Sequence, residues 1–157
     1  TEELADKQAR EEKKRRAASL KERRLKYEFE LDGLKIVFPA TSLAIRREGK
    51  ALHHCVGGYA DRHMNGVLTI LFLRRSSAPT VPLVTIEMHG NELRQIHGWD
   101  DERTPCADNP RRISPRVLYK EFLALWMRWL KNGSPRNEDS TPKVPKRKKQ
   151  TAERLSG

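Results

Sequence analysis

Residues 83–97, LVTIEMHGNELRQIH, decide the fold. Two runs rich in alternating apolar and polar residues, Leu83–His89 and Glu92–His97, flank Gly90-Asn91, and that pattern predicts an antiparallel hairpin with a two-residue turn. Just upstream, Val67–Leu73 (VLTILFL) is apolar on both faces and reads as a central strand. Further back, Tyr27–Leu31 and Leu34–Phe38 flank Asp32-Gly33 and predict a second hairpin. Downstream, Ser114 as N-cap and Pro115 at the first helical position start a helix that runs to Asn132 and stops at Gly133. Its Leu118, Phe122, Leu125, Trp126 and Trp129 recur at helical spacing, a stripe suited to packing on a sheet rather than to stacking on bases. Two shorter helices are expected between the hairpins. One spans Leu43–Glu48, capped by Ser42 and closed by Gly49, and the other runs from about Cys55 to Asn65. Residues 98–113 read as polar and irregular. The sum is an α+β fold: an antiparallel sheet of about five strands packed by a long C-terminal helix.

Charge divides the chain into three parts. The 157 residues carry 32 Lys/Arg against 21 Asp/Glu, a net of +11, and only 36% are hydrophobic. Residues 1–26 contribute ten basic and six acidic groups, and residues 131–157 contribute eight and three, so the middle holds only +2 of the excess. Residues 1–26, without Gly or Pro and with acid-to-base pairs such as Glu12 with Arg16, predict a charged, solvated helical leader. Residues 133–157, with Pro135, Pro142, Pro145 and the cluster Lys146-Arg147-Lys148-Lys149, predict a disordered basic tail. The folded domain is then 27–132. No run approaches the length of a membrane span, no hydrophobic leader is visible, and the two cysteines, Cys55 and Cys106, make no disulfide framework. A cytoplasmic setting and an anionic partner, nucleic acid first, are the expectation.

Two constellations can carry chemistry. His53-His54-Cys55-Val56-Gly57-Gly58-Tyr59 gathers two imidazoles, a thiol, a phenol and two glycines that permit close backbone approach. Cys55 by itself reads as a small packing residue, and neither cysteine has the CxxC partner a zinc site would need, so no metal or cofactor is expected. The second constellation is Thr85-Ile86-Glu87 opposite Gln95-Ile96-His97, and register decides its meaning. A two-residue turn sets Glu87 across from Arg94 as a salt bridge; a three-residue loop sets Glu87 across from Gln95 and Thr85 across from His97, a polar cluster. The two-residue turn is the stronger local signal. Arg74-Arg75 at the end of the central strand, with Arg46-Arg47 and Arg111-Arg112, are candidates to receive phosphate, as are Lys146, Arg147, Lys148 and Lys149.

The strings EGKALHHCVGGYADRHMNG, ILFLRR, a Pro-containing loop, VTIEMHGNELRQIHG and a late helix with LWMRWL resemble the PcfJ-like family from about Tyr27 to Trp129. His54, Cys55, Val56, Gly57, Tyr59, Arg74, Thr85, Glu87, Gln95 and Gly98 occupy its recurrent positions. The chain departs where the family usually has an Asn after that Gly, carrying Trp99-Asp100-Asp101, and where it often has Arg, carrying His97. The resemblance implies an origin in conjugative plasmids, phages or related mobile elements, and that this is the C-terminal domain of a longer protein. It supplies no activity.

Three functions are therefore carried forward. The first is a nucleic-acid-binding domain, extended to a metal-independent nuclease in which His54 is the base, Glu87 or His97 its partner and Arg74 the phosphate clamp, with Tyr59 and Gln95 in the same catalytic set. The second is an ADP-ribosyltransferase-like enzyme, which uses a similar His/Tyr/Glu set. The third is a non-catalytic domain that docks protein partners of a mobile element.

Overall fold

The structure is a computed structural model that describes residues 1–146. Five strands, β1 (Phe29–Leu31), β2 (Leu34–Val37), β3 (Thr69–Arg75), β4 (Val84–His89) and β5 (Glu92–His97), form one antiparallel sheet in sequential order. Both expected hairpins are present. Their turns use Asp32-Gly33 and Gly90-Asn91, with Asp32, Gly33 and Gly90 at positive φ.

The doubly apolar β3 is covered on both sides, as its composition demands. Leu71 and Leu73 join Ile86, Met88 and Ile96 in the larger core, against Phe122, Trp126 and Trp129 of α5 (Lys120–Lys131). Ile70 and Phe72 face the other way and pack on Ile45, Val56 and Ala60. Those three residues come from α2 (Ser42–Leu52), the 3-10 turn Cys55–Tyr59 and α3 (Ala60–Met64). The second layer lies against β2 and β3, and the polar side chains of β4 and β5 on that face stand at its margin.

Several boundaries differ from the sequence reading. Thr41, not Ser42, caps α2, and Gly49 does not end it: the helix continues to Leu52 and closes on His53 in the left-handed region. Gly49 is there for proximity, since a Cβ would lie 3.0 Å from both Gly57 N and Val56 Cγ1. The single helix expected over 55–65 starts as the 3-10 turn and becomes α-helical only at Ala60. The C-terminal helix is broken at Tyr119 (φ −112°, ψ 25°) into α4 (Pro115–Leu118) and α5.

His63 is wholly buried in α3. Its Nδ1 accepts the Ile70 N–H (2.9 Å) and its Nε2 donates to the Pro39 carbonyl (2.8 Å), so the neutral ring satisfies two backbone groups. Burial pushes its pKa down to about 4.

The helical leader is α1 (Glu2–Tyr27), exposed along nearly all of its 26 residues. It is held at its C-terminal end. Arg23 donates to the His63 and Leu68 carbonyls (2.8 and 3.1 Å), and Tyr27 is buried with its hydroxyl on the Gly90 carbonyl (2.8 Å). The tail expected to be disordered from Gly133 is instead docked here over residues 133–146. Ser134 Oγ donates to the Lys26 carbonyl (2.6 Å), and Arg136 donates to the Leu25 and Glu28 carbonyls (2.8 and 2.5 Å) while its guanidinium lies over the Trp129 ring. Trp126 Nε1 completes the clasp on the Tyr27 carbonyl (3.0 Å). Lys146 is exposed; Arg147, Lys148 and Lys149 lie outside the described residues.

Candidate functional site

Two rows of side chains run across the sheet on the face of the second layer: Ile70–Glu87–Gln95 and Phe72–Thr85–His97. The turn Gly90-Asn91 has two residues, pairing His89 with Glu92 and Met88 with Leu93, yet Glu87 faces Gln95 rather than Arg94. A β-bulge between the Met88 and Glu87 pairings makes Arg94 the extra residue, and everything beyond it is shifted by one. The local turn signal is right and the register drawn from it is corrected by the bulge. Arg116 secures it, donating to the Leu93 and Arg94 carbonyls (3.2 and 3.3 Å).

The HHCVGGY segment supplies the opposite wall. His54 is extended and caps the 3-10 turn: its Nδ1 accepts the Val56 N–H (3.4 Å) and its Nε2 lies 2.9 Å from Thr85 Oγ1. With Nδ1 used as acceptor, the proton sits on Nε2 and is donated to Thr85. Burial lowers the His54 pKa, against the pull of Asp101 and Glu102. His54 is thus neutral and engaged at both nitrogens. It orients the Thr85 hydroxyl and offers no free nitrogen to a substrate in this arrangement.

Two carboxylate–imidazole pairs flank this contact. Glu87 accepts from His89 Nε2 (2.7 Å), and Glu102 Oε1 accepts from His97 Nδ1 (3.0 Å). Each carboxylate fixes a tautomer and leaves the other ring nitrogen as an acceptor. Glu102 is held in turn by the Gly98 N–H on Oε2 (2.5 Å), and a Cβ on Gly98 would lie 3.0 Å from that oxygen and 3.1 Å from the Leu83 carbonyl. Asp100, Asp101 and Glu102 all sit at positive φ (49°, 51° and 63°), a strained run whose tertiary contacts hold it in place.

His54, Tyr59, Glu87, Gln95 and His97 all line one cleft of about 120 Å³, with Thr85, exposed Cys55 and Asp101. Among the described residues, no three His, Cys, Asp or Glu side chains are grouped to hold a metal ion. The arginines lie elsewhere. Arg74 is buried on the same sheet face, paired with Glu48 and donating to the Pro79 carbonyl (2.9 Å), so it is not offered to a polyanion as a clamp. Arg75 pairs with Asp108 (2.6 Å) and Arg46 with Asp61 (3.7 Å); Arg47, Arg111 and Arg112 are exposed. His89 and Glu102 were not singled out from the sequence. His89 was findable, because two residues from Glu87 on a strand means the same face; Glu102 sits in a stretch with no periodicity to read.

A family model described as PcfJ-like protein matches residues 2–110 of the chain. An uncharacterized protein of Listeria innocua (serovar 6a) is 34% identical over 70 residues, which covers 43% of this chain and 16% of that protein. No solved structure matches.

Proposed function

The chain belongs to the PcfJ-like protein family, and from that premise we propose that it is a nucleic-acid-binding domain whose cleft cleaves phosphodiesters by metal-independent acid–base catalysis. The observation that carries the reading is the convergence of His54, Tyr59, Glu87, Gln95 and His97 on one cleft flanked by two carboxylate–imidazole pairs. In this reading the roles change from those expected. His97, oriented by Glu102, is the general base: its Nε2 takes the proton of the attacking hydroxyl. The Glu87–His89 pair, which meets the cleft through Glu87, returns the proton to the leaving oxygen. Thr85, oriented by His54, and Gln95 position the substrate by hydrogen bonds. The exposed, basic α1 and the basic C-terminal segment supply non-specific attraction for the polyanion. A source in plasmid or phage mobile elements and a cytoplasmic location belong to the same reading, as do protein partners of such an element.

The test is cleavage of end-labelled single-stranded RNA and DNA in the presence of EDTA. Wild type should cut at least one of them, and His97→Ala and Glu87→Gln should each slow cleavage by about 10²–10⁴-fold with the circular dichroism spectrum unchanged. Wild type inert on both substrates overturns the enzyme; absence of binding at low salt overturns the nucleic-acid reading altogether. The presence of His54, Tyr59 and Glu87 in the same cleft also favours a second reading, transfer of ADP-ribose. Consumption of NAD⁺ by wild type, lost in Glu87→Gln, would select it.

A further inference from the structure

Across the Gly98–Glu102 turn from the cleft lies a second cavity, of about 210 Å³. Leu52, Leu83, Val84 and Pro115 give it apolar walls, and the rings of Trp99 and Tyr119 border it. Trp99 is steadied by His53, whose ring centroid is 4.3 Å away. Two carboxylates, Glu102 and Asp108, also line the space. Glu102 is common ground between the two sites. It lines the cavity, and its Oε1 holds His97, which lines the cleft. Arginines stand on the segments around it: Arg75 pairs with Asp108 (2.6 Å), Arg103 with Asp100 (3.1 Å), and Arg112 donates to the Arg103 carbonyl (3.3 Å).

We propose that this cavity is a nucleobase subsite for a base bearing an exocyclic amine, guanine above all, feeding the strand it belongs to into the neighbouring cleft. The choice of occupant rests on the nucleic-acid reading of that cleft. Aromatic rings beside an apolar floor suit the flat face of a base. Each Glu102 oxygen already accepts one hydrogen bond, from His97 or from the Gly98 N–H, and has a second lone pair for guanine N1–H and N2–H, whereas uracil has no exocyclic amine to donate.

Intrinsic fluorescence reads the site directly. Trp126 and Trp129 are fully buried while Trp99 is half-buried at the cavity, so a ligand there reports through Trp99. Titration of the full chain with guanosine monophosphate, excited at the red edge, should give a saturable change, with uridine monophosphate at least about tenfold weaker. Glu102→Gln should cost guanosine monophosphate about tenfold and shrink its advantage over the uridine nucleotide. Ala51→Phe, at an exposed position that also lines the cavity, should abolish the response with the circular dichroism spectrum unchanged. Equal affinity for the two nucleotides, or a response indifferent to Glu102→Gln, overturns the subsite whatever Ala51→Phe does to folding. Nucleotide binding without strand cleavage retains the subsite and retires the nuclease; cleavage without any nucleotide response does the reverse.

Discussion

The two buried ionisable groups of the smaller helical layer titrate in opposite directions, and separating them is a stringent test of how that layer is built. His63 has an ordinary pKa near 6.5 when unfolded and about 4 in place. As pH falls through 6.5 the unfolded chain takes up a proton that the folded chain refuses. The His63 contribution is therefore complete above about 6.5 and is lost as pH falls toward 4. The gap of about 2.5 pH units corresponds to about 3 kcal/mol. Glu48 is pushed the other way, up to about 7, because burial outweighs the attraction of Arg74. The folded chain holds a proton there that the unfolded chain has already released, so this contribution is complete below about 4.5 and is lost as pH rises toward 7. Between about 4.5 and 6.5 the two nearly offset each other, and each conservative variant should unmask the other. Urea unfolding at pH 4.5 and 6.5, followed by circular dichroism, sets the wild-type slope, to which His54 also contributes in the sense of His63. Relative to that slope, Glu48→Gln should gain stability with rising pH, and His63→Gln should lose it, each by about 2–3 kcal/mol across the window. The comparison is between slopes, so a uniform loss from removing a buried hydrogen bond does not matter. A His63→Gln slope equal to that of wild type would refute the assignment of His63 as a buried neutral ring.

Gly49→Ala should cost about 1–3 kcal/mol, seen as a lower midpoint in thermal unfolding, because the new methyl meets Gly57 N and Val56 Cγ1 at 3.0 Å; an unchanged midpoint would mean that the His54-bearing turn is not packed on α2. Removing residues 147–157 deletes Arg147, Lys148, Lys149 and Arg154. Affinity for single-stranded nucleic acid should fall, and the slope of log K against log salt should become shallower by up to about 3; an unchanged slope assigns the electrostatics to α1 and the folded domain.

The sheet was legible because its signals are local and agree. Asp32-Gly33 and Gly90-Asn91 mark turns, and the doubly apolar 67–73 run needs cover on both sides, which it has. The site was half legible. His54, Tyr59, Glu87, Gln95 and His97 could be named as types, but their convergence depends on a bulge at Arg94 that Arg116, 22 residues away, helps to hold. A regular two-residue hairpin places Glu87 opposite Arg94, and only a distant guanidinium says otherwise. Gly49 was misread for a related reason: a glycine that stops a helix and one that admits a neighbouring backbone look alike until the neighbour is known. Arg74 looked like a phosphate ligand because its partner, Glu48, lies 26 residues away in another element. The docking of 133–146 was invisible to composition, since Ser134 and Arg136 are held mainly by backbone carbonyls, which every sequence possesses.

The clasp of Trp126, Ser134 and Arg136 on Lys26, Tyr27 and Glu28 dictates when this protein can finish folding. On the ribosome β1 to β5 leave the exit tunnel before α5 does. Until then Leu71, Leu73, Ile86 and Met88 lack the cover of Phe122, Trp126 and Trp129, leaving an apolar surface open to chaperones or to other sheets. Only when Arg136 has emerged can residues 134–136 close over the end of α1, so this core seals late. A recombinant fragment trimmed at residue 110, where the family match stops, would freeze the protein in that unsealed stage and should be recovered as aggregate. Anyone expressing this domain should keep at least the residues through the clasp.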